Sequence, residues 1–151
     1  MPELVRSVVS RVRVYFNDRR QSPRLRVGAT FTVAIRRTAN ASFTRRKTPT
    51  LKGHTRDCSE RGIGLLVPQV HLDGHHLAAE GRELELQLEI GGGPAINMLV
   101  MPRRYERLDE AEMGCNYLIG ARIVTMDEAD RVRYLKFVAE GLKNPAAYGK
   151  R

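Results

Sequence analysis

At 151 residues and 17.1 kDa the chain has the length of one ordinary domain, enough to bury a core without disulfides or a structural metal. No stretch approaches the ~18 uninterrupted apolar residues of a membrane helix. The N-terminus "MPELVRSVVSRVRVYF" is broken by Arg6, Arg11 and Arg13 and is not read as a signal peptide. The two cysteines, Cys58 and Cys115, stand in no metal-like spacing and suit a reducing compartment, so a cytoplasmic location is expected.

The net charge of +9 is unevenly placed. Residues 1–56 carry 14 Arg or Lys against Glu3 and Asp18, a net of +12, and residues 57–151 carry 12 against 15, a net of -3. Such asymmetry points to an anionic partner, whether nucleic acid, a nucleotide or an acidic membrane surface. Solubility alone is the bland alternative.

In chain order, Leu4, Val5, Val8, Val9 and Val12 give residues 1–17 the spacing of a helical extension, although Val12, Val14 and Phe16 also fit a strand. This segment is a candidate for homodimerisation or docking. Next comes "DRRQSPRLRV", residues 18–27, with Arg19, Arg20, Arg24 and Arg26 around Ser22-Pro23. Pro23 holds Ser22 extended and removes a backbone donor, so a non-helical arm is expected, mobile until a ligand orders it. Val27, Ala29, Phe31, Val33 and Ile35 then alternate as the inward face of a strand. Residues 36–53 read as a long polar loop carrying Arg36, Arg37, Arg45, Arg46, Lys47 and Lys52.

Further strands are expected at 51–56, 63–67, 82–90, 95–105 and 115–124. Leu84, Leu86, Leu88 and Ile90 give the cleanest alternation. "GGGP" (91–94) and "RLDEAEMG" (107–114) read as turns, and the whole as a mainly β antiparallel barrel or sandwich. Thr125 and Glu128 have capping-box spacing for a final helix. Its apolar stripe is expected along Ala129, Val132, Leu135, Val138, Ala139 and Leu142, with stops at Gly141 and Asn144-Pro145.

"RDCSERGIGLLVP" (56–68) contains Asp57, Ser59 and Gly62 in a D-x-S-x-x-G pattern just before an apolar run. On its own the pattern describes a turn: Asp and Ser bond nearby backbone N–H groups and Gly supplies a positive φ. Arg20 and Arg24 precede it at R-x-x-x-R spacing. With "RQSPR" (20–24) and "DCSERG" (57–62) in this order, the sequence resembles the PilZ family of bacterial cyclic di-GMP receptors over residues 18–142. The resemblance implies a six-stranded antiparallel β-barrel with a C-terminal α-helix, between the extension 1–17 and a tail 143–151. It implies cyclic di-GMP as ligand, with no other cofactor. Arg20 and Arg24 would contact phosphate and the guanine Hoogsteen edge, Asp57 would accept from guanine N1–H and N2–H₂, Ser59 would add a polar contact, and Gly62 would permit the turn. Arg19 occupies the place that the family associates with an intercalated ligand dimer, hence two molecules per site. Arginine suits these roles because its guanidinium is permanently charged, forks onto phosphate or guanine O6 and N7, and stacks on rings.

Other chemistries fare less well. His71, Asp73, His75 and His76 in "HLDGHH" lack the helical spacing of a zinc site. Ser59 near Asp57 and His54 has no nucleophile elbow or oxyanion hole, and Gly91-Gly92-Gly93 lacks the lysine of a phosphate-binding loop. No enzyme activity is expected. The competing readings are a basic barrel that binds nucleic acid, for which aromatics at 6% offer little stacking surface, and a PilZ-like module that binds a downstream protein and no nucleotide.

Overall fold

The computed structural model describes residues 23–36 and 48–144. The expected N-terminal helix, Arg19, Arg20, Ser22, loop residues 37–47 and the tail beyond 144 lie outside the described residues. Among the described residues nine strands and one helix follow in order: β1 Leu25–Arg26, β2 Thr30–Ile35, β3 Leu51–Cys58, β4 Gly62–Val67, β5 His71–Leu72, β6 His75–His76, β7 Leu84–Leu88, β8 Ile96–Glu112, β9 Cys115–Met126 and α1 Glu128–Lys143. Leu51 to Gly53 therefore belong to a strand and not to the polar loop.

Antiparallel pairing runs β3-β2-β7-β8-β9-β4 and returns from β4 to β3, closing a six-stranded barrel. Closure removes the exposed edges that open sheets present. Alternation fills the interior: Phe31 and Val33 from β2, Ile63, Leu65 and Val67 from β4, Leu84, Leu86 and Leu88 from β7, and Ile96, Val100 and Ile119 from β8 and β9 are all buried. The short β1 lies on the same edge of β3 as β2, pairing Leu25 with Cys58 and Arg26 with Asp57. Where β1 and β2 part, the buried Thr55 hydroxyl donates to Val27 O (2.5 Å) and accepts from Ala29 N–H (2.9 Å). One side chain thus replaces missing ladder bonds and fixes the entry of the arginine arm onto the barrel.

Several sequence expectations are corrected. Residues 107–112 continue β8, and the turn is only Met113-Gly114, with φ of 53° and 77°. Two left-handed residues suit a tight hairpin whose twist matches its strands. "HLDGHH" forms a second such hairpin, β5–β6, turning at Asp73-Gly74 with φ of 54° and 80°. Thr125 ends in β9 and not at a helix cap; the N-cap is Asp127, without a side-chain capping bond.

The helix has the expected period with a different phase. Tyr134, Phe137, Val138 and Gly141 are buried, whereas Val132 is 57% exposed and Ala129 and Ala139 face solvent. Two aromatic rings bury far more area than the small residues of the expected stripe, so they set the rotation. Gly141 is an interior helical residue that lets α1 approach Leu25, whose side chain occupies the place a Cβ would take. The helix ends at Lys143, where Asn144 N–H bonds Glu140 O (3.0 Å).

Candidate functional site

The D-x-S-x-x-G segment is the turn from β3 to β4. Ser59 N–H donates to Gly62 O (2.9 Å), and Gly62 N–H donates back to Ser59 Oγ (3.1 Å). The same hydroxyl donates to Gly62 O at 3.2 Å. Ser59 is buried, and its carbonyl accepts a 2.7 Å bond from the Tyr134 hydroxyl of α1. Ser59 therefore shapes the turn and ties it to the helix. Gly62 is in strand conformation rather than at positive φ; what it supplies is space, since a Cβ would lie 3.1 Å from Ala121 O and 3.3 Å from Arg24 Nη2.

Arg24, one residue before β1, reaches across the turn. Its Nη1 donates to Asp57 Oδ1 at 2.5 Å, with both side chains partly exposed. Asp57 in turn lies over Gly64, whose absent side chain leaves room for the carboxylate.

These residues form one end of a groove of about 600 Å³ on the outer face of β3, β4, β9 and β8. Besides Arg24 it is lined by Arg26, Arg56, Arg61, Arg103, Arg104 and Arg122, with Asp57 as its acid, and by Ser59, Gly62, Gly64, Leu118, Gly120 and Ala121. Arg56 stands 3.9 Å from Glu112. Among the described residues no acid pairs with Arg26, Arg103, Arg104 or Arg122. So many cations over one carboxylate make a focused positive potential, and guanidinium forks suit phosphate and base edges.

Arg24, Asp57, Ser59 and Gly62 lie together in this groove; Arg20 and Arg19 lie outside the described residues. Arg56, Arg61, Arg103, Arg104 and Arg122 were not anticipated. Arg61 sits within "DCSERG" and was legible there, but the others join the site only through strand register.

Cys58 and Tyr134 lie beneath the turn. Burial pushes the Cys58 thiol up to about 12, with Asp57 adding to the shift, so it stays protonated and non-nucleophilic. Burial likewise raises Tyr134. With the Ser59 hydroxyl committed to the turn, these groups offer structure and no reactive nucleophile. Among the described residues no group of three His, Cys, Asp or Glu is placed to hold a metal, and no helix is long and apolar enough to cross a membrane.

The PilZ domain model matches residues 18–140, a span that takes in both motifs, the barrel and nearly all of α1. The chain belongs to the PilZ domain family. This PilZ domain shares its fold with the PilZ domain of YcgR from Escherichia coli, solved with cyclic di-GMP, at a TM-score of 0.59 and 12% identity over 85% of this chain and 95% of that one. It is also similar to the Bacillus subtilis inhibitor of motility MotI/DgrA (TM-score 0.60, 14% identity, 84% of this chain and 52% of that one). A third similar structure is the K. pneumonia MrkH complex with cyclic di-GMP (TM-score 0.55, 20% identity, 86% of this chain and 55% of that one). The PilZ domain thus spans about half the length of the MotI/DgrA and MrkH chains. Comparison with curated proteins gives no sequence match.

Proposed function

We propose that this PilZ domain is a non-catalytic receptor for cyclic di-GMP, acting in the cytoplasm. The observation that carries the reading is the Arg24–Asp57 pair at 2.5 Å in a groove lined, among the described residues, by seven arginines. A ligand with two phosphodiesters and two guanines needs permanent cations for the phosphates and, for each base, acceptors and donors in fixed places. The groove offers guanidinium groups for the former and Asp57 with its arginine neighbours for the latter. Arg20, four residues before Arg24, would close on the ligand from the arm, and Arg19 and the surplus of arginines would admit a second molecule.

Binding would hold the 18–26 segment on the barrel. Because β1 directly follows Arg24 and Leu25 packs on Gly141, the ordered arm and α1 would together present a changed surface to a downstream protein. Nucleic acid is the weaker reading: among the described residues no aromatic side chain lines the groove to stack on the bases of a single strand.

Thermal unfolding of the full chain tests the proposal. Cyclic di-GMP at a hundred times its Kd should stabilise the protein by about 2.7 kcal/mol, with GTP and a short oligonucleotide giving no comparable shift at matched salt. Equal, salt-sensitive shifts from all three would favour a general polyanion surface instead.

A further inference from the structure

One row of paired residues crosses the groove floor. In register, Asp57 of β3 faces Gly64 of β4, Gly64 faces Gly120 of β9, and Gly120 faces Arg104 of β8. The two outer side chains lie down over the two glycines. A Cβ on Gly64 would be 3.2 and 3.3 Å from the Asp57 carboxylate oxygens, and one on Gly120 would be 3.3 Å from Arg104 Nε. All four residues line the groove. An acid and a guanidinium therefore lie over a floor of two glycines, one on each of two neighbouring strands roughly 4.8 Å apart.

We propose that Arg104 is the partner of Asp57 in choosing the base, and that the row Asp57-Gly64-Gly120-Arg104 is a slot that accepts guanine and rejects adenine. This rests on the nucleotide-receptor reading above and adds a specificity residue that neither sequence motif contains. Guanine presents donors, N1–H and N2–H₂, side by side with acceptors, O6 and N7. With Arg104 lifted off Gly120 to admit a base, a guanine over the glycine floor would put its donor half against the Asp57 carboxylate and its acceptor half against the Arg104 fork. Adenine places the N6 donor where guanine has the O6 acceptor and an acceptor at N1 where guanine has a donor. In the same slot its N6 donor would meet the guanidinium and its N1 acceptor the carboxylate, leaving polar groups unpaired, which is how a built site excludes a near-isosteric base. Arg24 donates to the same carboxylate. Among the described residues Arg104 has no acid of its own, so its fork is not already committed to an ion pair.

The test is calorimetric titration of the full chain with cyclic di-GMP and with cyclic di-AMP. The proteins compared are wild type, Arg104→Ala, Arg104→Lys and Arg103→Ala, each with its unfolding temperature measured first. Wild type should prefer cyclic di-GMP by at least tenfold. Arg104→Ala should weaken cyclic di-GMP tenfold or more and shrink that preference; Arg104→Lys should recover part of the affinity and little of the preference. Arg103→Ala removes a charge from the same groove and should weaken both ligands alike. If Arg104→Ala weakens both ligands equally, or neither, the slot is overturned while the receptor reading stands. Equal wild-type affinity for the two dinucleotides also overturns it. Wild-type binding to neither overturns both readings together.

Discussion

The hydroxyl of Tyr134, midway along the C-terminal helix, donates a 2.7 Å hydrogen bond to the carbonyl of Ser59, 75 residues earlier in the chain. The ring that makes it is fully buried, and the turn that receives it carries the second ligand motif. Helix packing and site geometry are thus one structural unit. Tyr134→Phe keeps the ring and removes the donor, leaving a buried carbonyl short of a partner. It should cost about 1–3 kcal/mol of stability, read as a lower denaturant midpoint at unchanged slope. The same variant should weaken cyclic di-GMP binding, because the turn positions Asp57 and Gly62.

Arg24 and Asp57 should be unequal in their effects on fold and on binding. Their ion pair is partly exposed, so removing either side chain should change stability by only ~0–1 kcal/mol. Arg24→Ala or Asp57→Ala should nevertheless weaken cyclic di-GMP binding by about 1–3 kcal/mol, the worth of one bidentate base contact. Arg20→Ala should do the same. Unchanged affinity in all three, with intact unfolding curves, would remove the assigned site.

Gly141→Ala tests the contact between arm and helix. Alanine is the better helix former by about 1 kcal/mol in isolation. Here its Cβ would run into the Leu25 side chain, and overpacking typically costs about 1–3 kcal/mol. The net change should be destabilising and should shift Leu25 and the neighbouring Arg24. A more stable variant with unchanged ligand affinity would show that β1 yields freely.

Alkaline pH should loosen the same region. Burial raises the Cys58 thiol from its usual value near 9 to about 12, so the folded state binds this proton more tightly than the unfolded state. The associated stability is complete below pH 9 and is lost as pH rises from there towards 12. Denaturant midpoints should fall over that window, and Cys58→Ser should flatten the fall. A thiol reagent at pH 8 should leave Cys58 unmodified in the native protein.

Much of this architecture was legible in the sequence because the barrel interior is built by period-two alternation. Leu84, Leu86 and Leu88 of β7, and Phe31 and Val33 of β2, point inward as their spacing required. The β8–β9 hairpin reads as a long turn in the sequence because residues 103–107 and 109–111 are exposed on both faces, and without a buried face a strand carries no alternation. Apolar spacing alone misplaces the helix phase because it weights Ala129 and Val132 equally with Tyr134 and Phe137. Arg24 and Asp57 were found by spacing. Arg104 and Gly120 were not, since only strand register brings residues so far apart in sequence into one row with Asp57 and Gly64.

Isothermal titration of the full chain with cyclic di-GMP tests the central claim most directly, with GTP and a short single-stranded oligonucleotide as controls at matched salt. The account predicts saturable, selective binding at micromolar affinity or tighter, about -8 kcal/mol or better. A stoichiometry of two would assign a ligand pair to the groove, and one per chain would remove the role proposed for Arg19. Absence of binding, or equal and salt-sensitive binding of all three anions, would contradict the receptor assignment.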